Sequence, residues 1–223
     1  MEDATTDPIV EAAIGRFARD GFGASLRAIA KDAHVSAALL VKRFGTKDGL
    51  RAACDDEVRR AIRRTKAESI DAAAEHRPMW TLPTHDEHAA LTGYLLHSVL
   101  DGGAFGRAFL EHMIDDAEGY IADAIERGLA RPSRDERARA RYMVHAGIGS
   151  MLVSMLLSPE RERTDLGALL RRVQLDMALP TLELYTQGFF TDETVLRSVE
   201  DQLAGAPGGE TRPDPPSAAA TDS

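Results

Sequence analysis

One cysteine, Cys54, stands in 223 residues. A lone thiol builds neither a disulfide framework nor a cysteine-based zinc site, which suits a reducing compartment and a cytoplasmic location. Aromatic residues make up only 5% of the chain. Strands are enriched in aromatic and β-branched side chains, so this scarcity disfavours a β-rich fold. No segment alternates with period two, and no internal repeat is visible. The chain does not start with a basic stretch followed by an apolar one, so no signal peptide is expected. The longest apolar run, Met143–Leu157, is interrupted by His145, Gly147, Gly149 and Ser150. It falls short of the ~18–20 residues of a spanning helix and reads as a buried helix, with no membrane partner. There is no Ser–His–Asp set, no P-loop and no dinucleotide fingerprint. The carboxylates are scattered, so neither an enzyme nor a cofactor is expected. His85-Asp86-Glu87-His88 places two histidines as helical neighbours. No third ligand is set by spacing, so the segment reads as a polar helix start rather than a metal site.

Residues of high helix propensity fill the space left by these absences. Apolar residues reach 43%, enough for a core, and Ala, Leu, Arg and Glu are abundant, all good helix formers. The expected fold is all-α. The net charge of −9 conceals an uneven distribution. Residues 1–66 carry 13 Lys+Arg against 10 Asp+Glu, whereas residues 67–223 carry 14 against 26. The stretch 25–51 holds Arg27, Lys31, Lys42, Arg43, Lys47 and Arg51 against only Asp32 and Asp48. A small basic module on an acidic body suits a protein that meets phosphate with one end. A solvated helical surface gives the same pattern.

The first fifty residues are strongly punctuated. Asp7 is placed to cap a helix with Pro8 at its first position. Ile9, Val10, Ala13, Ile14 and Phe17 then recur at helical spacing. Gly21 and Gly23 end that helix, and Ser25 opens a second with Leu26, Ile29, Ala30 and Ala33 on one face. Ser36 caps a third, short helix, Ala37–Arg43, closed by Phe44-Gly45. Thr46 caps a fourth that runs into the seventies, with Leu50, Ala53, Cys54, Val58, Ala61 and Ile62 on one side. Arg59, Arg60, Arg63, Arg64 and Lys66 make its other side basic. A break is expected from His76 to Asp86, around Pro78 and Pro83. Further helices are expected near 87–100, 104–113, 116–130, 134–157 (closed by Pro159), 165–187 (kinked at Pro180) and 192–203. From Gly205 the tail is nearly devoid of apolar residues, and disorder is expected over 205–223.

Two short helices joined by a tight turn, the second opening on a serine cap, make a helix-turn-helix pattern. The second helix must be narrow and exposed to enter a major groove. Leu40 and Phe44 are spaced to pack inward, leaving Ala37, Ala38, Val41 and Lys42 to look outward. The wider segment Ile9–Leu50 reads IVEAAIGRFARDGFGASLRAIAKDAHVSAALLVKRFGTKDGL. It resembles, in register and without a gap, the N-terminal domain of the TetR/AcrR family of transcriptional regulators. The matching parts are the AA-x-x-x-F-x-x-x-G-F first helix, L-R-x-I-A in the second and V-S at the turn. Phe44 closes the third helix, and T-K-D-G-L starts the fourth.

The resemblance implies a helix-turn-helix domain over 1–50, a linking helix over about 46–75 and a helical ligand-binding and dimerisation domain over 51–204. It implies a ligand-responsive regulator, expected to be a repressor, that binds palindromic double-stranded operator DNA as a homodimer and acts at the nucleoid. Carried over by position, Arg27 reaches a base edge, where it can hold guanine O6 and N7 in bidentate fashion. Ala37, Ala38 and Val41 face bases and offer apolar contact. Lys42, Arg43 and Lys47 meet phosphate, Lys47 at a helix N-terminus that already favours anions. Ser25, Ser36 and Thr46 cap helices, and Ser25 and Thr46 are also placed to donate to phosphate. The chain departs from the family at Val41-Lys42, where an aromatic pair is usual, and at His34, where glycine is usual. Specificity is therefore expected to lean on methyl contacts, Arg27 and DNA shape. His34 is expected to take the left-handed turn conformation. A transcriptional activator, and a helical ligand-binding or scaffold protein without operator binding, stay open.

Beyond the DNA module, Trp80, Tyr94, Phe105, Phe109, His112, Met113 and Met151 are the candidate ligand contacts, since methionine and aromatic side chains suit an adaptable apolar pocket. Plain core packing accounts equally for most of them. The Met143–Leu157 and Leu166–Phe189 segments are apolar over too wide a face for one core. In the family the last long helices pair with their two-fold mates, which implies a homodimer here.

Overall fold

A computed structural model describes residues 7–77, 86–159 and 166–204. Among these residues the regular structure is entirely helical. The order is α1 (Pro8–Asp20), a 3₁₀ turn (Gly21–Gly23), α2 (Leu26–Asp32), α3 (Ala37–Phe44) and α4 (Lys47–Ala74). Then come α5 (Asp86–Asp101), α6 (Gly103–Glu126), α7 (Glu136–Leu157), α8 (Leu166–Gln187) and α9 (Thr194–Ala204). Residues up to Leu175 form one compact unit and those from Asp176 a second.

The expected caps are all in place. The Asp7 carboxylate accepts from Ile9 N at 3.0 Å, with Pro8 opening α1. Ser25, Ser36 and Thr46 accept from Ala28 N, Leu39 N and Gly49 N at 3.2, 3.2 and 3.0 Å. Each such cap contributes about 1 kcal/mol to its helix. Asp135 caps α7 in the same way through Ala138 N at 2.8 Å.

The helices expected near 104–113 and 116–130 are instead one helix, α6. Asp115 and Asp116 interrupt the apolar pattern of the sequence, but both turn sideways into ion pairs with Arg137, Arg59 and Arg63. The backbone therefore runs through them unbroken, and a left-handed Gly128 follows the helix end. Pro180 lies inside α8, which continues to Gln187. Met79, Trp80, Pro83 and His85, and the expected disordered tail, lie outside the described residues.

Two cores hold the first unit together. One joins Ile9, Val10, Ala13, Ile14 and Phe17 of α1 to Ile29, Leu40, Leu50, Cys54 and Val58, and it extends to Tyr94 of α5 and Phe109 of α6. The other joins Ile114, Ala117 and Ile121 of α6 to Ala140, Val144 and Ile148 of α7. Met113 packs against both. The expected domain boundary after residue 50 falls inside α4, between Leu50 and Cys54, which share one core. By length and composition α7 is apolar enough to cross a membrane. Its Ala140–Ile148 face is nevertheless buried on α6, and its first turns carry Glu136, Arg137, Arg139 and Arg141.

Candidate nucleic-acid interface

The turn between α2 and α3 is fixed by backbone bonds before any tertiary contact is considered. Val35 N donates to Ala30 O at 2.9 Å and His34 N to Lys31 O at 3.2 Å. His34 takes φ 54°, the left-handed conformation expected of it where glycine is usual. Gly45, at φ 72°, closes α3 by donating to Val41 O at 2.9 Å. Two residues later α4 begins, and its first turn abuts the end of α3. A Cβ on Gly49 would overlap the Phe44 carbonyl oxygen, so only glycine fits there without a backbone shift.

Side-chain pairs then set the angle between the short helices. Arg16 on α1 grips Asp32 at the end of α2 in bidentate fashion, at 2.8 Å through Nε and 2.6 Å through Nη2. Asp20 and Arg19 complete the network. The hydrogen bond from Arg16 holds the Asp32 carboxyl below its ordinary range. Arg43 on α3 pairs with Asp7, the cap of α1, at 2.6 Å.

Leu40 is buried and Phe44 packs half-buried against the same core. The opposite face of α3 presents exposed Ala38, Val41 and Lys42, with Arg27 of α2 exposed and Lys47 of α4 half-exposed. Arg27, Lys42 and Lys47 make no ion pair among the described residues, so their charge is available to an outside partner. Three expectations change in detail. Ala37 packs against the core rather than facing outward, because it lies three residues before Leu40 and seven before Phe44, on their face of the helix. Arg43, although half-exposed, already has a carboxylate partner in Asp7. Arg51, counted with the basic stretch, is 7% exposed and turns inward. Ser25, Ser36 and Thr46 are engaged in capping through their oxygens, and a hydroxyl of this kind keeps its proton to donate outward.

Arg51 belongs to a junction that the sequence did not signal. Its guanidinium lies 3.6 Å from the ring centre of Phe22 and 5.0 Å from that of Phe105, and it pairs with Asp101 at 2.8 Å. Beside it the Tyr94 hydroxyl donates to Asp55 at 2.7 Å, and its ring packs edge-on to Phe22, Phe17 and Phe109. Burial pushes the Asp55 carboxyl and the Tyr94 hydroxyl upward. Gly21 lies against the His97 ring. The DNA module is thereby seated on the start of the second domain. Further along α4, Asp116 of α6 accepts from Arg59 (2.9 and 3.1 Å) and Arg63 (2.9 Å). The expected basic side of α4 is thus partly neutralised, with Arg60 paired to Glu57 as well.

The candidate ligand residues occupy different settings. Tyr94 and Phe109 are fully packed in the core beneath the DNA module, since their rings fill the space between α1, α5 and α6. Phe105 stands at the Arg51 junction, 40% exposed. His112 is exposed on α6, Met113 sits between the two cores, and Met151 is half-buried on α7. Trp80 lies outside the described residues.

Comparison with known proteins agrees with this geometry. The profile described as bacterial regulatory proteins, tetR family, matches residues 9–54, the span from the first turn of α1 into α4. The profile described as tetracyclin repressor-like, C-terminal domain, matches residues 86–191. The HTH-type transcriptional regulatory protein RaaS of Mycobacterium tuberculosis (strain ATCC 25618 / H37Rv) is 42% identical over 202 residues, 91% of this chain and 93% of that protein. The crystal structure of a TetR-family transcriptional regulator from a Rhodococcus species shares the fold with a TM-score of 0.51 and 19% identity, over 74% of this chain and 96% of its own. With both family domains in order and a relative matched along nearly its whole length, the chain belongs to the TetR family of DNA-binding transcriptional regulators.

Proposed function

We propose that this regulator represses transcription in the cytoplasm by holding an inverted-repeat operator as a homodimer, and that a small apolar effector releases it. The observation that carries the reading is the outer face of α3: Ala38, Val41 and Lys42 stand exposed on a helix whose inner face, caps and turn are all fixed. Small and apolar side chains there allow close approach to thymine methyl groups. Arg27 supplies a guanidinium for a guanine edge, and Lys42 and Lys47 supply phosphate contacts.

Homodimerisation is supported by apolar surface that is exposed among the described residues. Helix α7 exposes Tyr142, Val153, Leu156 and Leu157, and α8 exposes Leu175, Leu179 and Leu184. Faces of this kind mark protein interfaces on a folded domain. Effector binding is proposed in the C-terminal domain, with Phe105, His112, Met113, Met151 and Trp80 as its candidate contacts; Tyr94 and Phe109 are packed in the core shared with α1. Such a ligand weakens operator binding only by its differential affinity for the two shapes. The coupling is reciprocal, typically about 1–3 kcal/mol.

Labelled DNA from upstream of its own reading frame, titrated with wild-type protein and with Val41→Glu, tests the reading. Specific retardation by the wild type and its loss in the variant are expected, because a carboxylate in the groove meets phosphate. Equal binding by both proteins would remove α3 as the reading helix. Compounds that release the operator would then be titrated with and without DNA, following the fluorescence of Trp80, the only tryptophan. Equal affinity in the two titrations would remove the induction model.

A further inference from the structure

Asp7 does more than the capping its sequence position implies. Its Oδ1 accepts from Ile9 N at 3.0 Å and so opens α1. The same oxygen accepts from Arg43 Nη1 at 3.2 Å, and Oδ2 lies 2.6 Å from Arg43 Nη2. The two residues are 36 positions apart and meet because α1 and α3 share one core. The carboxylate is only 22% exposed, whereas the guanidinium, on the last turn of α3, is 51% exposed. A two-pronged contact of this kind, to an anion already fixed by a backbone bond, is the geometry in which a surface ion pair counts. Lys42 and Lys47 have no such partner among the described residues. Of the three cations expected to meet phosphate, Arg43 alone is held by a carboxylate.

We infer that Asp7 competes with DNA phosphate for Arg43, and so sets how tightly the α3 face holds DNA of any sequence. The inference rests on the α3 face proposed above as the DNA contact. A phosphate arriving at Arg43 meets one of two situations. It displaces Asp7, which costs the existing pair, or it takes the remaining edge of the guanidinium while Asp7 keeps the Nη end. In the second case a carboxylate and a phosphate share one cation, well inside the ~10 Å over which 0.1 M salt leaves charges unscreened. Both routes subtract from binding. Neither involves a base edge, so the loss is the same for every sequence. Asp7 thereby trims the sequence-independent part of the affinity and leaves the contacts proposed for Arg27 and Val41 untouched.

Asparagine and serine cap helices about as well as aspartate does. Asp7→Asn and Asp7→Ser therefore remove the charge and leave α1 its cap, and serine is also too short to reach Arg43. Fluorescence anisotropy on the full chain compares both with wild type, using labelled upstream DNA and an unrelated duplex of equal length. Both variants should bind both duplexes about two- to fivefold tighter at low salt, a range set by the strength of one exposed ion pair. The salt slope should steepen by about one for each chain bound, as Arg43 takes up a phosphate. In an Arg43→Ala background, Asp7→Asn should lose most of its effect. Equal or weaker binding by both variants, with melting curves that match wild type, would overturn the inference, since Asp7 would then be idle or orienting Arg43 for DNA. A gain equally large without Arg43 would overturn it too, because Asp7 would be repelling phosphate directly. Wild-type protein that binds neither duplex would overturn the α3 reading along with it.

Discussion

Arg27 is the guanidinium on α2 that remains exposed and unpaired among the described residues, whereas Arg43 and Arg51 are tied to Asp7 and Asp101. In the proposed reading, base readout by arginine turns on it. Arg27→Ala should cost about 1–3 kcal/mol at one base pair and relax specificity there. A penalty spread evenly over all sequences would make Arg27 a phosphate contact. Lys47→Ala should weaken every sequence alike and reduce the salt slope by about one for each phosphate left without its lysine. An unchanged slope would remove Lys47 from the interface. At Gly49 the expectation concerns stability. The Cβ of Gly49→Ala meets the Phe44 carbonyl, and the shift it forces should destabilise the fold by about 1–3 kcal/mol. A melting curve superimposable on wild type would show that α4 and α3 are less tightly abutted. The glycine of T-K-D-G-L was legible as part of a motif. Its reason was not, because the clash is with a backbone atom that only the fold brings near.

At the scale of elements, α1 to α4 were legible almost residue by residue, since each opens on a side-chain cap and the turns carry glycine or a tolerated left-handed histidine. The long α6 was not legible. Asp115 and Asp116 resemble a break until their partners on α7 and α4 are known. Those partners also give α4 a second attachment, the Asp116 clamp, well away from the DNA module. Burial alone would raise the Asp116 carboxyl, but the hydrogen bonds from Arg59 and Arg63 outweigh it and hold it below its ordinary value of 3.8. A depressed carboxylate contributes stability above its unfolded value and loses it as pH falls through the folded one. Asp116→Asn should therefore be less stable than wild type near neutral pH, by about 1–3 kcal/mol, since it leaves Arg59 with its charge poorly met. The gap should begin to narrow below about pH 4, where the unfolded chain takes up its proton, and should close only as pH falls through the depressed folded value. A gap that stays constant down to strong acid would mean the difference is steric and the clamp is not electrostatic.

On the scale of the whole molecule, the family and its two domains could be read from forty-odd residues, yet the ligand domain could not be read in detail. Tyr94 shows why. An aromatic in an apolar stretch suits a pocket or a core equally, and only the Asp55 bond and the surrounding rings mark it as the seat of the DNA module. Under the proposed induction model the same seat would be the route from effector to DNA, since α5 and α6 pack on Phe22, Arg51 and α1. Apolar residues are exposed on α7, α8 and α9, and the proposed homodimer would present two reading helices rather than one. Footprinting of the operator, with the stoichiometry of the complex measured alongside, tests that directly. The expected result is two chains protecting an inverted repeat whose half-site centres lie about one helical turn, or a multiple, apart. Full affinity for a single isolated half-site, bound by one chain, would contradict it.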